Sequence, residues 1–202
     1  MIFQELELKD LILITPSVFG DDRGFFMETY NKEVFSKAGL SMEFIQDNHS
    51  KSTAGVVRGL HFQAPPFAQG KLVRVTKGAI WDVVVDLRKN SPTYKKVAKV
   101  LLDDVDKRML YVPIGFAHGF VSIEPCEVQY KCTNVYHKAS ELGIRWDDSD
   151  LAIDWTVQNP LVSTKDQELP YLRDIESILN KKKKKNDLLN MCCRYYFTFY
   201  IL

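Results

Sequence analysis

At 202 residues, with 46% hydrophobic and 12% aromatic side chains, the chain suits one globular domain with a substantial core and does not fit a disordered segment. Lys181 to Lys185 and Arg194 face a single acid, Asp187, beyond residue 180, so the rest of the chain is mildly acidic and offers no electrostatic footprint for nucleic acid. No stretch approaches the ~20 apolar residues that cross a bilayer, no signal-peptide pattern opens the chain, and Cys126, Cys132, Cys192 and Cys193 form neither a CxxC pair nor a disulfide framework; a cytoplasmic protein without membrane or nucleic-acid partners is expected.

β-compatible runs open the chain at Leu11 to Thr15, Phe25 to Thr29 and Phe44 to Ile45. Between them lies one helix, Asn31 to Ala38, with Asn31 as N-cap, Val34, Phe35 and Ala38 on one face, and Gly39 as the stop. Further runs follow at Val56 to Phe62, Leu72 to Thr76, Ala79 to Leu87, Val97 to Leu102, Met109 to Val112, Phe120 to Ile123 and Val128 to Thr133, and Lys77-Gly78 reads as a hairpin turn. Many short strands at this spacing predict an antiparallel barrel or sandwich. The segment from Ala139 to Pro170 is loop-like, but Trp146 and Trp155 predict an ordered wrap around the barrel; a second helix is expected at Tyr171 to Leu179.

Residues 1–180 are thus expected to form a single domain, and residues 181–202 an appendage of another kind. Five consecutive lysines repel one another, and the apolar, aromatic stretch from Leu188 to Leu202 is too short to span a membrane. An exposed aromatic run without gatekeeping charges is an aggregation liability, which favours a disordered or non-native extension over a membrane- or partner-binding tail.

Chemistry concentrates in Arg58-Gly59-Leu60-His61-Phe62-Gln63, where Arg58, His61 and Gln63 interrupt a strand and must face either solvent or a polar cavity. An unperturbed histidine titrates near neutrality and suits proton abstraction, and Lys71 is a candidate to stabilise an oxyanion. A structural histidine satisfied by its neighbours is the competing interpretation. The Gly55 to His61 spacing and Pro113-Ile114-Gly115-Phe116-Ala117-His118 resemble the two segments of the cupin superfamily. Metal-binding cupins place His-x-His and then Glu in the first segment; here Gln63 occupies the second histidine position. His61 and His118 alone make a poor divalent-metal site, so no metal and no cofactor are expected.

Six blocks then occur in order: Phe19 to Phe26, Gln46 to Ser50, Arg58 to Gln63, Gly70 to Arg74, Pro113 to Phe120, and Lys165-Asp166. Together they resemble the dTDP-4-dehydrorhamnose 3,5-epimerase family over about residues 1–175. The resemblance implies an all-β cupin-type antiparallel β-barrel (a double-stranded β-helix or jelly roll) with a few short peripheral helices. It also implies a homodimer with shared active sites and a dTDP-4-keto-6-deoxy sugar as substrate, turned over on the way to dTDP-L-rhamnose.

In such a sugar C3 and C5 flank the C4 ketone, so their hydrogens are acidified and inversion needs a base, an acid and an oxyanion partner. The resemblance makes His61 the base, Asp166 its orienting carboxylate, Lys71 the enolate partner and Tyr130 the acid on the opposite face. It places Tyr136 against thymine and makes Arg23, Phe26, Glu28, Gln46, Asn48, Arg58, His118, Glu141 and Lys165 substrate-binding, with Arg23 and Glu28 supplied by the partner protomer. Ser122 and Phe67 read as ordinary core or loop positions. Trp155-Thr156 and Trp146-Asp147-Asp148 depart from the family's usual Trp-Pro and Trp-Asn-Asp, and altered loop stiffness is expected there. The alternatives are a single-carbon epimerase or ketoisomerase of a related sugar, a non-catalytic nucleotide-sugar-binding cupin, and a metal-dependent cupin oxygenase.

Overall fold

The computed structural model describes residues 1–175 and 177; the rest of the expected Tyr171 to Leu179 helix and the 181–202 appendage lie outside the described residues. In chain order the strands are β1 (Ile2–Glu5), β2 (Ile12–Thr15), β3 (Val18–Asp21), β4 (Gly24–Met27), β5 (Gln46–Ser52), β6 (Val56–Gln63) and β7 (Lys71–Lys77). They continue as β8 (Ala79–Asp86), β9 (Val97–Asp103), β10 (Met109–Val112), β11 (Phe116–Ser122), β12 (Cys126–Cys132), β13 (Glu141–Gly143) and β14 (Leu161–Val162). Helices are short: α1 (Lys32–Lys37), α2 (Thr164–Gln167) and a helical segment over residues 172–175 and 177.

Alternation of apolar and polar residues along each strand sets the layers. One antiparallel sheet runs β1-β2-β10-β7-β12-β5 and the other β13-β6-β11-β8-β9, with β14 added parallel to β6 and β3–β4 paired apart as a hairpin. The all-β cupin-type expectation holds, although the hydrogen bonds form two facing sheets and not one closed ring. Leu13, Val73, Val75, Leu110 and Val128 of the first sheet meet Ile80, Val84, Leu102, Phe116 and Phe120 of the second. Each such side chain, fully buried, contributes about 1.5–3 kcal/mol.

The opposite parity of the second sheet, Val57, Val83, Val85, Ala117 and Val121, is covered by Ile144, Leu151, Trp155, Leu172 and Ile175. The segment after Ala139 is therefore the expected wrap, with the Trp155 indole N–H donating to the Trp146 carbonyl at 2.7 Å. On the outer face of the first sheet, α1 buries Phe35 against Phe3 and Tyr30. Its cap is the expected one: Asn31 Oδ1 accepts from the Glu33 and Val34 amides, and Gly39 follows at φ 84°.

Two expectations are corrected. Lys77-Gly78 is not a hairpin turn, because β7 pairs with β10 and β12 whereas β8 pairs with β9 and β11. Gly78 (φ 75°) instead carries the chain from one sheet to the other, and a Cβ there would lie 2.4 Å from the Pro125 carbonyl. The strand expected at Phe44 to Ile45 begins only at Gln46 and runs to Ser52, a polar edge strand without an apolar face to announce it.

Where β8 ends, Asp86 is fully buried and accepts from Arg88, Ser91 and Thr93, while Arg88 reaches Asp10 at 2.7 Å. Burial alone would raise the Asp86 pKa, but these donors outweigh it and pull it down to about 2.

Candidate active site

The site begins with a one-residue irregularity in β6. His61 pairs with His118 and Arg58 with Phe120, so three residues of β6 span two of β11. Strict alternation would put Arg58 and His61 on opposite faces; the extra residue turns both toward the space between the sheets. Gly59 makes room for this, since a Cβ on it would sit 2.6 Å from Gly119 Cα at a φ of 125°. Gln63 takes neither of the two orientations expected for it. It is buried, with its amide donating to the Phe67 and Val135 carbonyls and accepting from the His137 amide.

Between the sheets lies a cavity of about 610 Å³ lined by Arg58, His61, Lys71, His118, Tyr130, Lys165 and Asp166. Asp166 is delivered by α2, whose N-cap Ser163 accepts from the Asp166 amide at 3.1 Å. Its Oδ1 lies 2.6 Å from His61 Nε2, and its Oδ2 accepts from the Gly59 amide at 3.3 Å. Burial acts to raise the Asp166 pKa, but the His61 ring and the Gly59 amide prevail and hold it below the ordinary carboxylate value. A carboxylate only accepts, so Nε2 carries a proton, and in the neutral ring the lone pair is the one on Nδ1. The His61 side chain retains 30% exposure while Asp166 is sealed behind it at 5%, which leaves the ring open to a ligand.

Lys71, the first residue of β7, puts Nζ 3.4 Å from His118 Nδ1 and 6.0 Å from the Tyr130 ring centroid. Burial lowers its pKa, against the raising influence of Cys132, Asp82 and Glu141. Tyr130 on β12 is pushed up by burial and then by Cys132, so its phenol keeps its proton and is a donor. Arg58 is braced by Ser52 Oγ and the Lys51 carbonyl, both at 3.1 Å.

Around the cavity runs a polar network joining five of the expected residues. Lys165 Nζ donates to Glu141 at 2.6 Å, the Tyr136 hydroxyl donates to the same carboxylate at 2.8 Å, and the Tyr136 amide donates to Gln46 Oε1 at 2.7 Å. Gln46 in turn donates to Asn48 at 3.1 Å. The Tyr136 ring is exposed.

Arg23, Phe26 and Glu28 do not join the site within one chain. Arg23 pairs with Asp21 at the hairpin tip and its side chain is 89% exposed, Phe26 is 70% exposed, and Glu28 accepts from Asn31. Ser122, read as an ordinary position, accepts from the Val56 amide in the core, and Phe67 stacks on His137. One functional candidate went unread in the sequence: Asp82, fully buried on β8, whose Oδ2 lies 2.8 Å from His118 Nε2. Its signal was available, because Asp82 shares inward parity with Ile80 and Val84 in an otherwise apolar strand.

Among the described residues no group of three or more His, Cys, Asp or Glu is placed to hold a metal ion, and no helix is long and apolar enough to cross a membrane. A carboxylate-backed imidazole with a free lone pair, a buried amine and a protonated phenol around one cavity make up the equipment of an all-β enzyme that moves protons on carbon beside a carbonyl. Comparison with known proteins gives the class its family. A family model for dTDP-4-dehydrorhamnose 3,5-epimerase matches residues 5–174, and the chain belongs to this family of isomerases.

A dTDP-4-dehydrorhamnose 3,5-epimerase from Shigella flexneri is 54% identical over 162 residues, covering 79% of this chain and 90% of that one. The crystal structure of a dTDP-4-dehydrorhamnose 3,5-epimerase from Bacillus anthracis, with TDP and PPi bound, matches at 48% identity and a TM-score of 0.83, covering 85% of this chain and 99% of that one. A dTDP-6-deoxy-D-glucose-3,5-epimerase from Legionella pneumophila, solved with dTDP-4-keto-L-rhamnose, matches at 39% identity and a TM-score of 0.84, covering 88% of this chain and 96% of that one.

Proposed function

We propose that the protein inverts C3 and C5 of dTDP-4-dehydro-6-deoxy-D-glucose to give dTDP-4-dehydro-L-rhamnose, a step of dTDP-L-rhamnose biosynthesis. The observation that carries this is the 2.6 Å His61–Asp166 pair facing Lys71 and Tyr130 across one cavity. His61 takes the proton from the carbon next to the ketone, and Asp166 stabilises the imidazolium that forms. Lys71 meets the enolate oxygen at C4, and Tyr130 returns a proton from the other face at C5. Arg58 binds the diphosphate through its donor fork, and His118 lines the same cavity. Tyr136 offers its exposed ring to thymine, held at the edge of the cavity by Gln46, Asn48, Glu141 and Lys165.

The same reading extends to assembly. Phe19, Phe25 and Phe26 form an exposed aromatic hairpin, a surface that a monomer seldom leaves open, and Arg23 and Glu28 belong to that hairpin and its exit. In the proposed homodimer this segment enters the partner's cavity, so that each site is shared. The free thiols Cys126 and Cys132 are consistent with a reducing cytoplasm. Residues 1–180 are taken as the single catalytic domain.

Turnover in deuterated water tests the reaction. Product is expected to carry deuterium at both C3 and C5, and label at a single carbon would refute double inversion. Replacing His61 by Asn is expected to abolish exchange at both carbons while dTDP still binds.

A further inference from the structure

We infer that Asp82 is a positioning residue that acts on Lys71 through His118. Three side chains form a line, two from the adjacent strands β8 and β11 of one sheet and one from β7 of the facing sheet. Asp82 Oδ2 on β8 lies 2.8 Å from His118 Nε2 on β11, and His118 Nδ1 lies 3.4 Å from Lys71 Nζ on β7. Asp82 is a carboxylate and can only accept, so the proton of the His118 ring sits on Nε2. Nδ1 then presents a lone pair, and Lys71 donates one N–H to it. Both ring nitrogens thus face protein partners within the cavity that His118 helps to line.

The cost of this arrangement argues that it does something. Asp82 is fully buried among Ile80, Val84 and Phe120, and its Oδ1 has no hydrogen-bond partner among the described residues. Burying a carboxylate with one oxygen unpaired is destabilising, and an apolar residue at this inward position would pack without that penalty. What Asp82 adds is a fixed tautomer and a negative charge one ring away from a buried amine.

Lys71 is faced by His118, by Asp82 behind it, by Tyr130 and Cys132 on β12, by Glu141 on β13 and by His61 on β6. Of these, His118 is the hydrogen-bonding partner that fixes the direction of the amine. His118 must also stay neutral beside His61, since a second imidazolium there would oppose protonation of the base. Burial keeps its pKa low, against the pull of Asp82. The inference rests on the assignment of Lys71 as the enolate partner, and its test separates the two.

Nitrogen-15 spectra of histidine-labelled protein report the His118 tautomer with no substrate present. The Nε2–H form is expected throughout pH 6–8; an Nδ1–H form or an imidazolium at neutral pH would overturn the relay, and this measurement needs no variant. Asp82→Asn presents an amide that can donate to Nε2, which drives the ring proton to Nδ1 and aims a donor at Lys71. That variant is expected to show the switched tautomer, a kcat about 10- to 100-fold lower, and unchanged dTDP affinity. A folded Asp82→Asn protein with the switched tautomer and wild-type kcat would refute the positioning role. Separately, Lys71→Met with full turnover would overturn the assignment of Lys71, whatever the His118 spectra show.

Discussion

Replacing Asp166 by Asn removes one charge and leaves the side-chain shape in place, which makes it the sharpest perturbation of the proposed base. The hydrogen bond it weakens is 2.6 Å long and shielded from solvent on the carboxylate side. Charge-assisted bonds of this kind are worth about 1.5–3 kcal/mol, or roughly 10- to 150-fold in rate if the whole of it is realised on the imidazolium. A second effect compounds the first. The asparagine amide can donate to Nε2, and the ring proton then moves to Nδ1, the nitrogen whose lone pair would otherwise take the substrate proton. Loss of both the charge and the tautomer is expected to lower kcat by about 10³- to 10⁴-fold. Asparagine keeps a carbonyl for the Gly59 amide, so thermal stability should fall little. Deuterium exchange at C3 and C5, followed by NMR, measures the rate, and calorimetry with dTDP checks that the cavity is intact. A folded Asp166→Asn protein retaining a tenth of wild-type exchange would refute the base assignment.

Acid stability tests the Asp86 cluster. Its folded pKa of about 2 lies below the ordinary 3.8, so the stabilisation is fully present above about pH 4 and is lost as pH falls through 2. Asp86→Asn should cost about 2 kcal/mol in urea unfolding at pH 7 and flatten the acid limb, and an unchanged limb would contradict the assignment. Gly59→Ala places a methyl group 2.6 Å from Gly119 Cα with a positive φ; it is expected to lower stability by more than ~2 kcal/mol, read as the melting temperature, and to displace Arg58 from the cavity. Shared sites predict complementation: mixing refolded Arg23→Ala and His61→Asn chains one to one should restore about a quarter of wild-type activity, whereas no recovery would place Arg23 outside the partner's site.

How much of this was legible depended on what each side chain does for the core. Strand β12, which buries one apolar face, announced itself by alternation, β8 by a nearly continuous apolar run buried on both faces, and the Asn31 cap of α1 by its residue type. Strand β5 did not, because its inward residues Gln46, Asn48 and Ser50 face polar space while the alternate positions face solvent. The Lys77-Gly78 corner has the composition of a hairpin turn, and only long-range pairing decides that its strands part into different sheets. The cavity residues were legible as motifs, yet Arg58 and His61, three apart, share a face only through an irregularity in β6 that periodicity does not encode. Asp166 could be matched to His61 through family resemblance alone, since about a hundred residues separate them and a short helix brings them together.

The two histidines at the centre of the site show how exposure separates roles that residue chemistry leaves equal. His61 and His118 are direct partners across β6 and β11, and each lies within hydrogen-bond distance of an aspartate through Nε2. Chemically the two pairs are the same device. His61 stands partly open, with no hydrogen-bond partner on Nδ1 among the described residues, so its lone pair is available to an acidic C–H. His118 is sealed, and Lys71 occupies its Nδ1. The carboxylate in each pair fixes a tautomer, and the surroundings decide what the lone pair meets, a substrate proton in one case and a buried lysine N–H in the other. Exchanging the roles would therefore require both displacing Lys71 and opening the space around His118. A Lys71→Met protein should accordingly free His118 Nδ1 yet leave it unable to abstract a proton, because the ring remains enclosed; deuterium exchange in the Lys71→Met, His61→Asn double variant should be absent, and any exchange above background would show that burial does not silence the second pair.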